Sequence, residues 1–150
     1  MLISPLRGGL LRKDSPQRHK DTKTAQSGVF MRVSGQVIGL AIEVHRQLGP
    51  GLLESAYEEC LCQELREAGL PFAQQVALPI IYKGRRLSFE YRMDIVVEPG
   101  LVLEIKSVAR LLPLHEAQLL TYLRLSGHRV GLLMNFNCPV LKDGIRRRVL

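Results

Sequence analysis

Cysteine is scarce in this chain: Cys60, Cys62 and Cys138 are the only three among 150 residues. The number is odd, no two form a C-x-x-C pair and no histidine lies at zinc-like spacing. Plain thiols in the core or on a helix surface are therefore expected, rather than a disulfide framework or a zinc site. Long apolar runs are also missing. None approaches the ~20 residues that cross a bilayer, and the N-terminus lacks the continuous apolar stretch of a secretory signal. A soluble, cytoplasmic protein with no membrane partner is expected. Residues 31–150 hold no internal repeat and no low-complexity segment, and no base-reading module such as a zinc finger or RNA-recognition motif is recognisable. What is there, 46% hydrophobic and 23% charged residues, suffices for one domain with a real core and not for two.

The net charge of +7 is unevenly spread. Residues 1–30 carry six cations (Arg7, Arg12, Lys13, Arg18, Lys20, Lys23) against Asp14 and Asp21, leaving fifteen cations and twelve acids for the remainder. That first stretch has no helical or strand periodicity, so it reads as a disordered basic extension of a domain that occupies 31–150. A nucleic-acid-binding arm and an organellar targeting peptide are both compatible with it. The simplest reading makes Met31 the natural start, because periodicity begins just after it. The run Arg146-Arg147-Arg148 reads as solvated surface, with phosphate contact as the alternative.

Val33, Val37, Leu40, Ala41, Val44 and Leu48 recur at helical spacing and stop at Gly49-Pro50-Gly51, which predicts a first helix. A second is predicted from Leu53 to Ala68, burying Leu53, Tyr57, Leu61 and Leu65. A strand from Gln75 to Tyr82, a turn at Lys83-Gly84 and a strand from Arg86 to Glu98 follow, the last alternating Leu87, Phe89, Tyr91, Met93, Ile95 and Val97 with a more polar set. A strand through Val102, Glu104 and Lys106, a helix from Leu114 to Ser126 and an apolar strand from Arg129 to Phe136 complete the order ααβββαβ, an α/β (α+β) class.

The informative segment runs from Asp94 to Lys106. Side chains alternate along a strand, so Glu104 and Lys106 share a face while Ile105 points the other way. The connection Glu98-Pro99-Gly100 sets Asp94 opposite Glu104 if three residues form the loop, and one position off if two do. Phosphodiester hydrolysis calls for hard cations that neutralise the phosphate and acidify a water, and Mg²⁺ accepts one or two carboxylates and a carbonyl with its remaining waters. Asp94, Glu104 and the Ile105 carbonyl provide such a set, with Glu54 adding a carboxylate from the second helix. Lys106 would orient or deprotonate the water or stabilise the developing charge, and Gln118 would hold Lys106 or the nucleophile. Each has an ordinary counterpart. A cross-strand salt bridge on a wet face accounts for Asp94, Glu104 and Lys106, and spacing alone favours it. Glu54 suits the positive end of its helix, Gln118 and Tyr122 suit a packing pair, and His45 suits a helix C-terminus.

Beyond local pattern, Gly51-Leu52-Leu53-Glu54-Ser55-Ala56-Tyr57, preceded by Glu43-Val44-His45 and Leu48-Gly49-Pro50, resembles the signature of the GxxExxY family of small proteins, classed with the PD-(D/E)XK nuclease superfamily. The likeness runs from about residue 33 to 150 and takes in Tyr91-Arg92-Met93-Asp94, Glu104-Ile105-Lys106, His115-Glu116-Ala117-Gln118 with Tyr122, and Leu141-Lys142-Asp143-Gly144-Ile145. It implies a restriction-endonuclease-like core, a central mixed sheet flanked by helices, with the site at Glu54, Asp94, Glu104, Lys106 and Gln118 and with Tyr122, His45 and Tyr57 as accessory positions. Met93 stands where the superfamily's name has proline. The implied activity is a Mg²⁺- or Mn²⁺-dependent nuclease acting on nucleic acid, DNA before RNA, as a homodimer. The alternatives are a catalytically silent nucleic-acid-binding module and a protein-interaction module.

Overall fold

The structure, a computed structural model, describes residues 16–150, with side chains from Lys20 onward. Arg7, Arg12, Lys13 and Asp14 of the basic extension lie outside the described residues. The elements are α1 (Pro16–Leu48), α2 (Glu54–Glu67), β1 (Phe72–Tyr82), β2 (Arg85–Val97), β3 (Leu101–Lys106), α3 (Pro113–Ser126), β4 (Val130–Asn135), a 3-10 turn (Leu141–Gly144) and β5 (Ile145–Val149). They form a mixed five-stranded sheet in the order β1-β2-β3-β4-β5. Only β3 and β4 run parallel. A parallel pair needs a crossover, and α3 supplies it.

Local chemistry sets the boundaries. Gly49, at φ 66, ends α1 by donating its N–H to the His45 carbonyl at 2.8 Å. Pro113 sits in the first turn of α3 and Gly127, at φ 77, closes it. Lys83 (φ 48) and Gly84 (φ 75) form the two-residue hairpin turn of β1 and β2, whose paired positive φ values match strand twist. One layer of core, against α1 and α2, gathers Tyr57, Leu61, Leu65, Ile95, Val97, Leu103, Ile105 and Leu132. The other, against α3, gathers Leu78, Met93, Val102, Leu119, Tyr122, Leu123 and Leu133.

Three differences from the sequence reading have physical causes. Residues 16–30, expected to be disordered, continue α1 back to Pro16. From Lys20 to Val29 every side chain is exposed, so this part gains little from burial and propagates from the turns that Val37, Ala41 and Val44 anchor. The same helix also corrects the expectation about apolar runs. An 18-residue window within Lys20–Leu48 reaches a mean hydropathy of 1.2, long and apolar enough to cross a membrane by length and composition, although Val37, Ala41 and Val44 are spent on the sheet. Finally, the basic run at 146–148 is part of an added edge strand, β5, antiparallel to β4. Arg148 faces α3, where it pairs with Glu116.

Strand β2 also departs from uniform alternation. Tyr91 and Met93 pack with the α3 layer, whereas Ile95 and Val97 pack with the α1 and α2 layer. The switch falls at Asp94, and on the neighbouring strand it falls at Gln75, whose φ is 51. These are the two residues missing from an otherwise continuous register between Gln74↔Ile95 and Val76↔Met93. A non-glycine residue held at positive φ is strained, and here it marks where the sheet exchanges faces.

Candidate active site

Regular pairing of β2 with β3 covers Val97↔Leu101, Val96↔Val102 and Ile95↔Leu103. The loop is therefore the three residues Glu98-Pro99-Gly100, and the next position sets Asp94 against Glu104. There, carboxylates replace the backbone ladder. The Asp94 N–H donates to Glu104 Oε1 at 3.2 Å, and the Ile105 N–H donates to Asp94 Oδ2 at 2.8 Å. Each side chain thus takes a proton donor from the opposing strand, leaving Asp94 Oδ1 and Glu104 Oε2 for another partner.

Burial makes this pair electrostatically uncomfortable. Glu104 is 4% exposed. Loss of hydration, reinforced by the Asp94 charge, pushes its pKa up to about 8, against the opposing pull of the Asp94 N–H and of Lys106. Asp94 rises to about 6, chiefly from burial, with the Ile105 N–H opposing and the Glu58 and Glu54 charges adding to the rise. Among the described residues the pair lacks a counter-charge in direct contact.

Lys106 does not provide it by direct contact: among the described residues it forms no ion pair with either carboxylate. Its Nζ donates instead to Gln118 Oε1 at 3.4 Å, and Gln118 Nε2 donates to the Tyr122 hydroxyl at 2.8 Å. The salt-bridge reading is therefore not what the chain forms. Gln118 and Tyr122 are more than a packing pair, since they connect α3 to the strand that carries Glu104.

Glu54 approaches from the start of α2. Its Oε1 accepts the Ser107 N–H at 3.2 Å, and Ser107 Oγ donates to the Leu52 carbonyl at 2.6 Å. This stitches Glu54 to the residue after Lys106 without completing a cage: among the described residues no three His, Cys, Asp or Glu side chains are grouped to hold a metal. Tyr57 supports the same corner. Its hydroxyl donates to the Gly49 carbonyl at 2.5 Å and accepts the Leu52 N–H at 3.1 Å, and its ring stacks on Phe136 with centroids 4.5 Å apart. Tyr57→Phe should cost about 0.5–1.5 kcal/mol of unfolding free energy, because the part-buried Gly49 carbonyl and Leu52 N–H both lose their partner. Urea unfolding at fixed pH would measure it, and no loss would mean that water replaces the hydroxyl. His45 lies elsewhere, its Nε2 donating to the Cys138 carbonyl at 2.8 Å beside Phe136.

Two residues escaped the sequence reading. Glu58, 7% exposed, accepts both Gln74 Nε2 (3.1 Å) and Gln75 Nε2 (2.7 Å), tying α2 to the irregular point of β1. Glu54 and Glu58 are four apart on one helix, a spacing that could have drawn attention to the second. Asn135, 4% exposed, accepts the Val108 N–H and donates to the Val108 carbonyl, both at 3.0 Å, fixing the loop that leaves Lys106. A lone Asn ending an apolar strand carries no signal of that role.

Residues 31–148 match the PD-(D/E)XK nuclease superfamily. No curated protein matches the chain. A solved structure titled "Crystal structure of SSO0001" is similar at 23% identity and a TM-score of 0.43, over 62% of this chain and 46% of that one. The chain thus spans about half the length of that protein.

Proposed function

Because the chain belongs to the PD-(D/E)XK nuclease superfamily, we propose that it is a divalent-metal-dependent nuclease that hydrolyses phosphodiester bonds, in DNA before RNA. Within that superfamily we assign it to the GxxExxY proteins, as a single domain over 31–150 preceded by an extension, cytoplasmic and working as a homodimer. The observation that carries the activity is the pair of half-buried Asp94 and buried Glu104, each spending one oxygen on the opposing strand and raised in pKa chiefly by loss of hydration.

The donor set fits Mg²⁺ or Mn²⁺: hard oxygens from Asp94 and Glu104, the Ile105 carbonyl, and Glu54 directly or through water. When bound, such an ion neutralises charge on the phosphate and acidifies a water. Lys106, held by Gln118, would orient the attacking water or offset charge on the pentavalent phosphorus. Tyr122 fixes the Gln118 amide.

The absence of a three-carboxylate group among the described residues favours one alternative, a catalytically silent module that binds nucleic acid or protein. Incubation with plasmid, single-stranded DNA, branched DNA and RNA in Mg²⁺, Mn²⁺ or EDTA separates the two. Cleavage with a divalent ion and none in EDTA is expected. Binding without cleavage of any substrate overturns the nuclease reading.

A further inference from the structure

Beside the carboxylates lies a pocket of about 480 Å³ lined by Tyr91, Lys106, Leu114, Gln118, Thr121 and Tyr122. Its wall continues outward as a row of rings. Tyr91 sits 5.4 Å from Tyr122 between centroids, and Phe89 meets Tyr91 edge to face at 5.1 Å and 89°. Phe89 is 58% exposed, although the β2 alternation would have given it a core face. An aromatic ring left open to solvent and set against Tyr91, which itself shares the pocket with the lysine of the proposed site, is unexplained by phosphodiester chemistry alone.

Charge identifies its occupant. Between residues 83 and 92 the hairpin carries Lys83, Arg85, Arg86 and Arg92 against Glu90 alone. Arg86 is taken up by Glu90 at 3.5 Å and Arg92 alternates to the face opposite Tyr91 and Met93, which leaves Lys83 and Arg85 at the hairpin end. A second copy docking here would bring those cations against themselves, whereas a polyanion with flat apolar groups satisfies both cations and rings. Inside a duplex both faces of a base are covered by its neighbours, so only an unstacked base can offer one to Phe89.

Resting on the nuclease reading of the adjacent site, we propose that Phe89 and Tyr91 form a stacking platform for an unpaired base of the strand whose phosphate lies at Lys106. The substrate is then a nucleic acid with a single-stranded segment. Tyr91, braced by Tyr122, sets the angle of Phe89, and Phe89 makes the contact.

The test uses the full chain in EDTA, with a single-stranded oligodeoxynucleotide carrying 2-aminopurine and the matched duplex. Wild type should bind the single strand and quench its fluorescence. Phe89→Ala should weaken that binding about tenfold and abolish the quench, with duplex affinity changed less than about twofold. Phe89→Tyr should retain both properties and Phe89→Leu should retain neither, since leucine keeps the apolar surface and loses the ring. Should the alanine variant melt early, the leucine and tyrosine variants decide. Wild-type behaviour in Phe89→Leu, equal losses on single strand and duplex, or a change in sedimentation mass with single-strand affinity intact would each overturn the platform. Ring-dependent binding without cleavage in Mg²⁺ keeps the platform and removes the nuclease. Duplex cleavage indifferent to Phe89→Ala does the reverse.

Discussion

Lys106→Ala should lower the single-turnover cleavage rate about 10²–10⁴-fold, the range found when a positioned proton-transfer group or a charge-stabilising donor is removed, while leaving the fold and most nucleic-acid affinity in place. The fold is spared because the side chain contributes one long hydrogen bond, 3.4 Å to Gln118 Oε1, and no ion pair among the described residues. Affinity is spared because it is built from many phosphate contacts by a chain of net charge +7, of which Lys106 is one cation. Gln118→Ala should fall in the same direction but by about tenfold, since it acts through Lys106 and not on the phosphate. Quench-flow rates, filter binding and melting on the same preparations would separate these quantities. A Lys106→Ala variant that cleaves at the wild-type rate would remove the lysine from the chemistry. One that loses affinity and rate together would make it an anchor for substrate.

Much of this arrangement was legible in the sequence, for reasons that can be located. The stops at Gly49-Pro50-Gly51 and Gly127, and the turn at Lys83-Gly84, are positions where backbone conformation restricts residue type, so they announce themselves. The nearness of Asp94 and Glu104 was legible from strand alternation and a short connection, whereas their direct opposition depends on a loop of three residues rather than two, which the sequence left open. The interruption at Gln75 and Asp94 was hidden. Glutamine at positive φ has no sequence signature, and the apolar series Tyr91, Met93, Ile95, Val97 reads as one face although it is divided between two layers. The strand β5 was hidden because Ile145-Arg146-Arg147-Arg148-Val149 presents two apolar ends and a charged middle, and edge strands tolerate such charge. The helical continuation back to Pro16 has no apolar face to betray it. Glu58 is marked locally only by its place four residues after Glu54; the two glutamines it accepts from are brought to the same oxygen by the irregular β1, an outcome of tertiary geometry.

Unfolding free energy in the absence of divalent ions should fall as pH rises from about 4 to about 8, and Glu104→Gln should remove most of that slope. Glu104 moves from an ordinary 4.5 to about 8 on folding, and Asp94 from 3.8 to about 6. Between those limits the folded chain holds protons that the unfolded chain releases, so each step up in pH favours unfolding. Below the unfolded values both states are protonated and the pair contributes no slope; above the folded values both are ionised and the slope ends. At about 1.4 kcal/mol per unit, the Glu104 shift from 4.5 to about 8 amounts to roughly 5 kcal/mol lost across the window. Glutamine keeps an oxygen for the Asp94 N–H and never ionises. Relative to wild type, the variant should therefore be more stable at pH 8 and nearly unchanged at pH 4. A divalent cation should act on the wild type in the same place, restoring stability at pH 8 by about 2.7 kcal/mol at a hundred times its dissociation constant, and should do much less for Glu104→Gln. Urea unfolding at pH 4, 6 and 8, with Mg²⁺, Mn²⁺ or EDTA, reads all of these together. If the variant keeps the wild-type slope, Glu104 is not the group that titrates. If the wild type also gains nothing from either ion at pH 8, the buried pair is not a cation site, and the silent nucleic-acid-binding reading takes its place.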